Sequence, residues 1–286
     1  MTTIRGVLAA SRPISWINTA YPYGLAYLLA GNELDWLFWS GVAFFLVPYN
    51  IAMYGINDVF DYESDIRNPR KGGVEGAVLP KSMHAPLLWA SMVTTVPFLA
   101  VMYAAGTWHS ALWLTAAMAA IVAYSAPPMR FKERPVLDSM TSSVHFVTPA
   151  IIGATVRAAE IPTEFWIAVM AFFLWGMASH ALGAVQDVKA DREGSLSSVA
   201  TALGARIVTR SAAALYTVAA SLLFFLPAPG WLVGLVGLGY TANTVRFWNI
   251  TDDTCEDVNR AWKAFLLLNY MTGAVVTISI AAVYLV

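Results

Sequence analysis

Long apolar stretches separated by short polar segments dominate this sequence and restrict what it can fold into. A helix that crosses the hydrocarbon core of a bilayer needs about 20 mostly apolar residues, and repeated stretches approach that length. Their approximate bounds are 13–31, 36–56, 86–105, 109–126, 141–157, 163–186, 208–226, 230–248 and 264–286. The pattern predicts an all-α, polytopic membrane protein with nine transmembrane helices.

The amino-acid composition excludes other classes of protein. Hydrophobic residues make up 58% of the 286 residues and charged residues 12%, and the mean hydropathy is +0.60. An ordinary soluble domain has about 45–50% apolar and about 25% charged residues, so a soluble globule of this length could not bury so much apolar surface. The single cysteine, Cys255, excludes an internal disulfide. A net charge of −1 provides no basic surface for nucleic acid.

The basic residues predict how the chain is oriented in the membrane. With nine spans, the loops alternate between the two sides, and Arg157 is the only one of the 17 Lys and Arg on the second side. Cytoplasmic loops carry the excess of Lys and Arg in membrane proteins. The sequence therefore predicts a multi-pass protein of the cell membrane, with a cytoplasmic N-terminus and Val286 outside. The longer loops also lie on the cytoplasmic side, where we expect the chemistry to take place.

A first group of acidic residues follows the second predicted span. Asp61 and Asp65 are offset from Asp58 by three and seven residues, so a helix that continues through them places all three on one face, beside Asn57 and Tyr54. Three like charges in one stripe repel each other, and no lysine is interleaved with them. A bound divalent cation would remove this repulsion, although a solvated helix end is the simpler alternative.

A second acidic group follows the sixth predicted span. Asp187 and Asp191 are one helical turn apart, and Gln186-Asp187-Val188 resembles Asn57-Asp58-Val59. Carboxylates, together with water and phosphate oxygens, are the ligands that Mg²⁺ prefers. Two such groups facing one cavity would hold Mg²⁺ ions that bridge a diphosphate. The candidate catalytic residues are Asn57, Asp58, Asp61, Asp65, Asp187 and Asp191, and the five aspartates among them are the candidate metal ligands.

Basic residues lie next to both acidic groups. Arginine binds phosphate oxygens through two parallel hydrogen bonds, and lysine provides a compact positive charge. The alternative is that these residues only mark cytoplasmic loops, which explains their side of the membrane but not their proximity to aspartates. The candidate diphosphate-binding residues are Arg67, Arg70, Lys71, Arg130, Lys132 and Lys189.

Together, these motifs resemble the UbiA superfamily of intramembrane prenyltransferases. The first motif is the run from Asn57 to Asp65, and the second runs from Asp187 to Asp191. The segment Tyr124-Ser125-Ala126-Pro127-Pro128, with Arg130 and Lys132, is similar to the family's loop after the fourth helix. The resemblance covers nearly the whole chain and implies one domain over residues 1–286, with nine helices around a central cavity open to the bilayer. Tyr54 and Tyr124 are further candidate site residues.

What the resemblance implies about activity is transfer of a prenyl group from its diphosphate, with Mg²⁺, to an apolar acceptor that enters from lipid. The loop from Asp65 to Gly76 is most similar to the lycopene elongase branch. Members of that branch transfer dimethylallyl units from dimethylallyl diphosphate to the ends of lycopene in C50 carotenoid biosynthesis, and bacterial members also act as hydratases. The second interpretation is a related enzyme that prenylates an aromatic quinone precursor or a chlorophyll-type acid.

A transporter that couples ions through its aspartates is the alternative from another class of protein. Transporters place such sites near the middle of the bilayer, in interrupted helices. In this sequence the aspartates follow the apolar stretches and adjoin basic loops. That arrangement favours the enzyme.

Overall fold

The computed structural model describes residues 3–66, 79–157 and 160–285, which are largely α-helical, with no β-strand among them. The all-α prediction is therefore confirmed for these residues. The chain divides into two compact units. The first unit comprises Met1–Phe131 and Val144–Ile161, and the second comprises Lys132–Ser143 and Pro162–Val286. The assignment of residues 1–286 to one domain stays a prediction.

The first unit is a group of packed helices. They are α1 (Thr3–Ala10), α2 (Ile17–Leu29), α3 (Trp36–Leu46), α4 (Pro48–Asp65), α5 (His84–Ala105), α6 (Trp108–Ser125) and most of α7 (Leu137–Thr155). Helix α4 contacts α1, α3, α5 and α6, and α2 contacts α3. One predicted span, 36–56, is divided between α3 and α4 because Pro48 has no N–H to continue the first helix, although it suits the first turn of the next one.

Aromatic side chains and close helix contacts form the core of the first unit. Tyr23 is fully buried, and its ring centroid lies 5.2 Å from that of Phe45. Gly41 on α3 and Gly153 on α7 both lie against Tyr23, where an added Cβ would overlap its ring or its backbone carbonyl. The absence of side chains at these glycines therefore lets α3 and α7 approach α2 closely.

A polar cluster near the C-terminal end of α2 connects α2, the start of α3 and the end of α7. Asp35 accepts hydrogen bonds from the N–H groups of Leu37 and Phe38, both at 2.9 Å, and so caps α3. Tyr27 Oη donates to Asp35 Oδ1 at 2.8 Å, and Arg157 forms an ion pair with Asp35 Oδ2. Burial tends to raise the pKa of Asp35, but the hydrogen bonds from Phe38, Tyr27 and Arg157 outweigh it and hold that pKa below its usual value. The one basic residue predicted on the outer side is thus paired with a carboxylate.

The second unit contains a second group of helices. They are α8 (Thr163–Val185), α9 (Val188–Glu193), α10 (Val199–Leu203), α11 (Ala205–Leu223), α12 (Trp231–Val245) and α13 (Asn259–Leu285). Helix α11 packs against α8 and α12, and α12 packs against α13. The buried cluster includes many small residues, such as Ala178, Ala200 and Ala212, beside Tyr216 and Tyr240. A 3₁₀ helix, Asp252–Val258, precedes α13.

Several helix bounds differ from the sequence prediction. The helix α7 begins at Leu137 rather than at residue 141. The segment 187–207, predicted as a loop, contains α9 and α10. Ser198 starts α10 because its hydroxyl accepts from the N–H of Thr201 at 3.2 Å, while the Thr201 hydroxyl accepts from the N–H of Ser198. Hydroxyl caps of this kind can start short helices in polar segments. The lengths of apolar stretches in the sequence do not reveal such helices.

The apolar helices support a membrane protein with several spans. Four segments of the described chain are long and apolar enough to cross a bilayer: Trp36–Glu63, Lys81–Ala105, Thr163–Val185 and Asp252–Ala282. The other predicted spans overlap shorter or less apolar helices. The count of nine spans, the central cavity open to lipid and the orientation of the termini stay predictions.

Candidate active site

The first acidic motif lies on the C-terminal part of α4. This helix runs without interruption from Pro48 to Asp65, so Asn57, Asp58 and Asp61 occupy one continuous helix, as the sequence predicts. Asp58 is buried, whereas Asn57 and Asp61 are partly exposed. The motif therefore begins inside the packed first unit and emerges from it toward the end of the helix.

Asp58 is paired with a residue that sequence reasoning did not identify. Arg12 Nη2 donates to Asp58 Oδ1 at 3.0 Å, and the two side chains are 17% and 4% exposed. The same guanidinium lies 4.3 Å from the ring centroid of Tyr54, one helical turn before Asp58. Arg12 has a φ of 52°, a left-handed conformation that costs energy for a residue with a side chain. The chain thus turns after α1 at Arg12, the residue whose guanidinium pairs with Asp58.

The end of α6 contacts the first motif. Ser125 Oγ donates to Asn57 Oδ1 at 3.1 Å, and Ser125 is fully buried. The neighbouring residue Tyr124 is half-buried, and its ring centroid lies 5.4 Å from that of His145 on α7. The structure therefore brings the C-terminal end of α6 to the acidic helix.

The remaining basic candidates near the first motif are only partly described. Arg67, Arg70 and Lys71 lie outside the described residues, as does the side chain of Asp65. Arg130, in the loop after α6, is half-buried and has a φ of 40°. Its backbone is therefore in the left-handed conformation. Lys132 is also half-buried, and it belongs to the second unit.

The second acidic motif lies at a break between two helices. The helix α8 ends at Val185, and Asp187 is the residue that precedes α9. The N–H of Asp191 donates to the carbonyl of Asp187 at 2.8 Å, so the one-turn separation predicted for these two aspartates is present despite the break. Both residues are partly exposed.

The cation within the second motif, Lys189, and the cation directly after it, Arg192, form ion pairs with the 3₁₀ helix Asp252–Val258. Arg192 Nη1 lies 2.7 Å from Asp252 Oδ2, and Lys189 Nζ lies 3.9 Å from Glu256 Oε2. Lys189, a predicted diphosphate ligand, is thus beside a carboxylate in this structure. Its side chain remains 44% exposed and has room to reorient toward a phosphate.

A buried polar cluster behind the second motif was also missed from the sequence. Asp138, fully buried at the start of α7, accepts from the N–H of Val199 at 2.7 Å and from the N–H of Ser139 at 2.6 Å. Ser139 Oγ lies 3.1 Å from Nδ1 of His180 on α8. The cluster connects α7, α8 and α10. No local pattern reveals it, because its members are separated by 41 and 61 residues along the chain.

The donor chemistry of the two motifs fits Mg²⁺. Within residues 3–66, 79–157 and 160–285, no three His, Cys, Asp or Glu residues are grouped so that they could hold a metal ion by themselves. Magnesium, however, is commonly held by one or two carboxylates, with waters and substrate phosphates filling the remaining positions. The pairs Asp58 with Asp61 and Asp187 with Asp191 match that requirement in number and in type of ligand.

Comparison with proteins of known sequence identifies close relatives. The chain is 62% identical over 284 residues to a lycopene elongase/hydratase of Corynebacterium glutamicum, and the match covers 99% of each chain. It is 54% identical over 269 residues to a C(50) beta-cyclic carotenoids biosynthesis protein of Dietzia sp. (strain CQ4), which covers 94% of this chain and 62% of the relative.

Comparison with solved structures supports the same grouping at the level of the fold. A UbiA homolog from Archaeoglobus fulgidus, bound to DMAPP and Mg²⁺, superposes with a TM-score of 0.67 at 19% identity, covering 93% of this chain and 98% of the homolog. The sequence model of the UbiA prenyltransferase family matches residues 19–271, which include both acidic motifs. The chain belongs to the UbiA prenyltransferase family.

Proposed function

We propose that this protein transfers a dimethylallyl group from dimethylallyl diphosphate to an end of lycopene in C50 carotenoid biosynthesis. The observation that carries the proposal is the 62% identity, over 99% of both chains, to a lycopene elongase/hydratase. The C(50) beta-cyclic carotenoids biosynthesis protein of Dietzia supports a role in the same kind of biosynthesis. We further propose that the reaction takes place at the cytoplasmic side of the cell membrane, where the charged loops are predicted to lie.

We assign the metal-binding role to the aspartates of both motifs. Asp58 and Asp61 on α4, with Asp65 at its end, would bind Mg²⁺ in the first unit, and Asp187 and Asp191 would bind it in the second. When bound, Mg²⁺ neutralises the negative charge that develops on the diphosphate as its bond to carbon breaks. Support comes from the donor types of the two motifs and from a UbiA homolog of the same fold that is bound to DMAPP and Mg²⁺.

The residues around Asp58 prepare that site before any donor binds. Arg12 holds Asp58 through an ion pair, and Ser125 holds the neighbouring Asn57 through a hydrogen bond. Polar groups fixed in this way need little reorganisation when charge develops during the reaction, which is the main source of electrostatic catalysis. We propose that Arg130, Lys132 and Lys189, together with the loop residues Arg67, Arg70 and Lys71, bind the phosphate oxygens.

The acceptor places a different requirement on the protein. Lycopene has no charge and no hydrogen-bonding group, so its binding depends on apolar contact and its orientation on the shape of the binding cavity. Bond formation joins the allylic carbon of the donor to a terminal double bond of lycopene. The positive charge left on the acceptor is then removed by loss of a proton or by addition of water, and the relative named elongase/hydratase favours water. A site shielded from bulk water keeps the donor cation from being hydrolysed first.

The test is expression of the chain in a bacterium that accumulates lycopene, followed by analysis of the carotenoids. We expect new C45 and C50 species, with the C45 species appearing first when the donor is limiting, because one end reacts at a time. Asp58→Asn should abolish both products. Glu63→Gln is the matched control, because Glu63 is an exposed carboxylate on the same helix, paired with Lys81. Unchanged lycopene, with prenylation of a hydroxybenzoate or naphthoate instead, would reassign the acceptor to an aromatic quinone precursor.

A further inference from the structure

The 3₁₀ helix Asp252–Val258 and the first residue of α13, Asn259, contact the residues on either side of the second acidic motif. This segment is 61 residues beyond Asp191 in the sequence and has no role in the chemistry described above. Its own start is fixed by a capping box, in which the N–H of Thr251 donates to Thr254 Oγ1 at 3.1 Å. The segment is therefore a defined element rather than a loose connection between α12 and α13.

The contact before the motif involves Gln186, the residue that precedes Asp187. Asn259 Nδ2 donates to Gln186 Oε1 at 2.9 Å, and Cys255 Sγ lies 4.0 Å from the Gln186 carbonyl oxygen. Gln186 is buried. Since α8 has already ended at Val185, this contact holds the turn at which the chain changes direction just before Asp187.

The contact after the motif involves Arg192, the residue that follows Asp191. Asp252 Oδ2 lies 2.7 Å from Arg192 Nη1. The other oxygen of the same carboxylate accepts from the N–H of Ala205 at 2.7 Å, at the start of α11. Asp252 thus connects α9 to the start of α11.

Apolar packing also joins α9 to the 3₁₀ helix Asp252–Val258. Val188, between Asp187 and Lys189, is fully buried in the cluster that also contains Cys255 and Val258. The short helix α9 is therefore held through its apolar side chain as well as at both ends. Six residues of helix could not hold a fixed position alone, because an isolated helix of that length is not stable in water.

We propose that Asp252 and Asn259 are positioning residues that set the placement of Asp187 and Asp191 for metal binding. The inference rests on the proposed function. Magnesium demands near-ideal octahedral geometry, so a small displacement of either carboxylate weakens its binding. Removing a direct partner of a metal ligand commonly lowers metal affinity or activity by about 10- to 100-fold. Asp252 and Asn259 act one step further away, through Arg192 and Gln186, so the lower end of that range is expected. We therefore expect the two residues to act on the dependence on Mg²⁺ rather than on the acceptor.

The variants Asp252→Asn and Asn259→Ala test this from the two ends of the motif. The asparagine can still accept from the N–H of Ala205, so the first variant mainly removes the charge that pairs with Arg192. Asp257→Asn is the matched control, because Asp257 lies on the same 3₁₀ helix and pairs with Arg260 at the surface. The Mg²⁺ concentration for half-maximal diphosphate release should rise roughly tenfold in both variants, with kcat largely recovered at saturating Mg²⁺. The control should match wild type.

A second measurement separates positioning from activity. Binding of Mn²⁺ to the purified protein in detergent, followed by the electron paramagnetic resonance of free Mn²⁺, should weaken by a similar factor in both variants. Arg192→Gln combined with Asp252→Asn should be no worse than either change alone, since both remove one pair. Metal binding and Mg²⁺ dependence like those of wild type in both variants would overturn the inference, as would failure of both to fold. Wild-type protein without Mg²⁺-dependent transfer would instead overturn the proposed function.

Discussion

Arg12, which is half-buried, forms an ion pair at 3.0 Å with the buried carboxylate of Asp58, although 46 residues separate them in the chain. The arginine is held from a second direction by the ring of Tyr54. This places a fixed positive charge beside the first carboxylate of a motif that we propose binds metal. The pair also attaches the segment after α1 to α4, so the N-terminal part of the protein contributes directly to the candidate site.

Replacing Arg12 should therefore affect both stability and activity. Arg12→Gln removes a charged partner from a buried carboxylate, and we expect a loss of about 2 kcal/mol in the free energy of unfolding. Arg12→Lys should recover part of it, because a lysine keeps the charge but cannot stack on Tyr54 through a planar group. Thermal unfolding and turnover at saturating Mg²⁺ measure the two effects. Arg5→Gln, an exposed change on α1, is the control, and an equal effect of both changes would contradict the role of the pair.

The acidic motifs should be required for turnover but not for folding. We expect Asp187→Asn to lower the rate of prenyl transfer by several orders of magnitude, because it removes a metal ligand from the diphosphate site. Excess chelator should have the same effect on wild type, and added Mg²⁺ should reverse it. Glu193 is an exposed carboxylate at the end of α9, the helix that Asp187 precedes, and Glu193→Gln should retain activity. Full activity of wild type in chelator would reject the metal site.

The basic residues near the motifs should affect the donor more than the acceptor. We expect Arg130→Ala and Lys132→Ala to raise the KM for dimethylallyl diphosphate about tenfold or more, because each removes a hydrogen bond to a charged phosphate oxygen. The KM for lycopene should change little. Lys81→Ala is a suitable control, since Lys81 is exposed and already paired with Glu63. If Arg67, Arg70, Lys71 and Lys189 also behave like this control when replaced, the basic residues mark only topology.

The carboxyl group of Asp35 should give the protein an acid-sensitive contribution to stability. Because its pKa is lower in the folded protein than its ordinary value of 3.8, the contribution is present above that ordinary value and is lost as the pH falls through the lowered one. The difference in Tm between wild type and Asp35→Asn should therefore shrink between pH 5 and pH 3, roughly the window around the unperturbed carboxyl pKa. Glu33→Gln, an exposed change two residues away, should show no such trend.

The orientation of the chain can be tested independently of its chemistry. The distribution of Lys and Arg predicts a C-terminus outside the cytoplasm. Alkaline phosphatase fused after Val286 should therefore be active, and a reporter that needs the cytoplasm should be inactive at the same position. The opposite result would mean that one predicted span is wrong, and residues 141–157 would be the first to re-examine.

The sequence predicts the acidic helix well because its signal is local. The spacing of Asn57, Asp58 and Asp61 depends only on helical periodicity, and α4 has that geometry. The same holds for Asp187 and Asp191, where a backbone hydrogen bond keeps the turn across the helix break. Motif residues that belong to one helix can thus be placed from the sequence alone.

The partners of those residues could not be predicted in the same way. Arg12, Asp138 and Asp252 reach their partners only after helices distant in sequence have packed together, and each is an unremarkable polar residue in its own segment. The division of the second predicted span at Pro48 was missed for a different reason: the apolar run continues through it, so hydropathy does not register the break. Long-range pairing and backbone interruptions therefore require the structure.

The position of Tyr23 between Gly41 and Gly153 has a consequence for how the helices find each other. In lipid, apolar side chains gain little by leaving their solvent, because the acyl chains surrounding them are equally apolar. Association of α2, α3 and α7 then depends on dispersion forces, which decline steeply with the distance between the helices. A methyl group added at Gly153 would push α7 away from Tyr23 on α2. The apolar side chains of the separated helices would then contact lipid as favourably as they contact each other. Steric complementarity, rather than hydrophobicity, therefore determines the association of α2, α3 and α7.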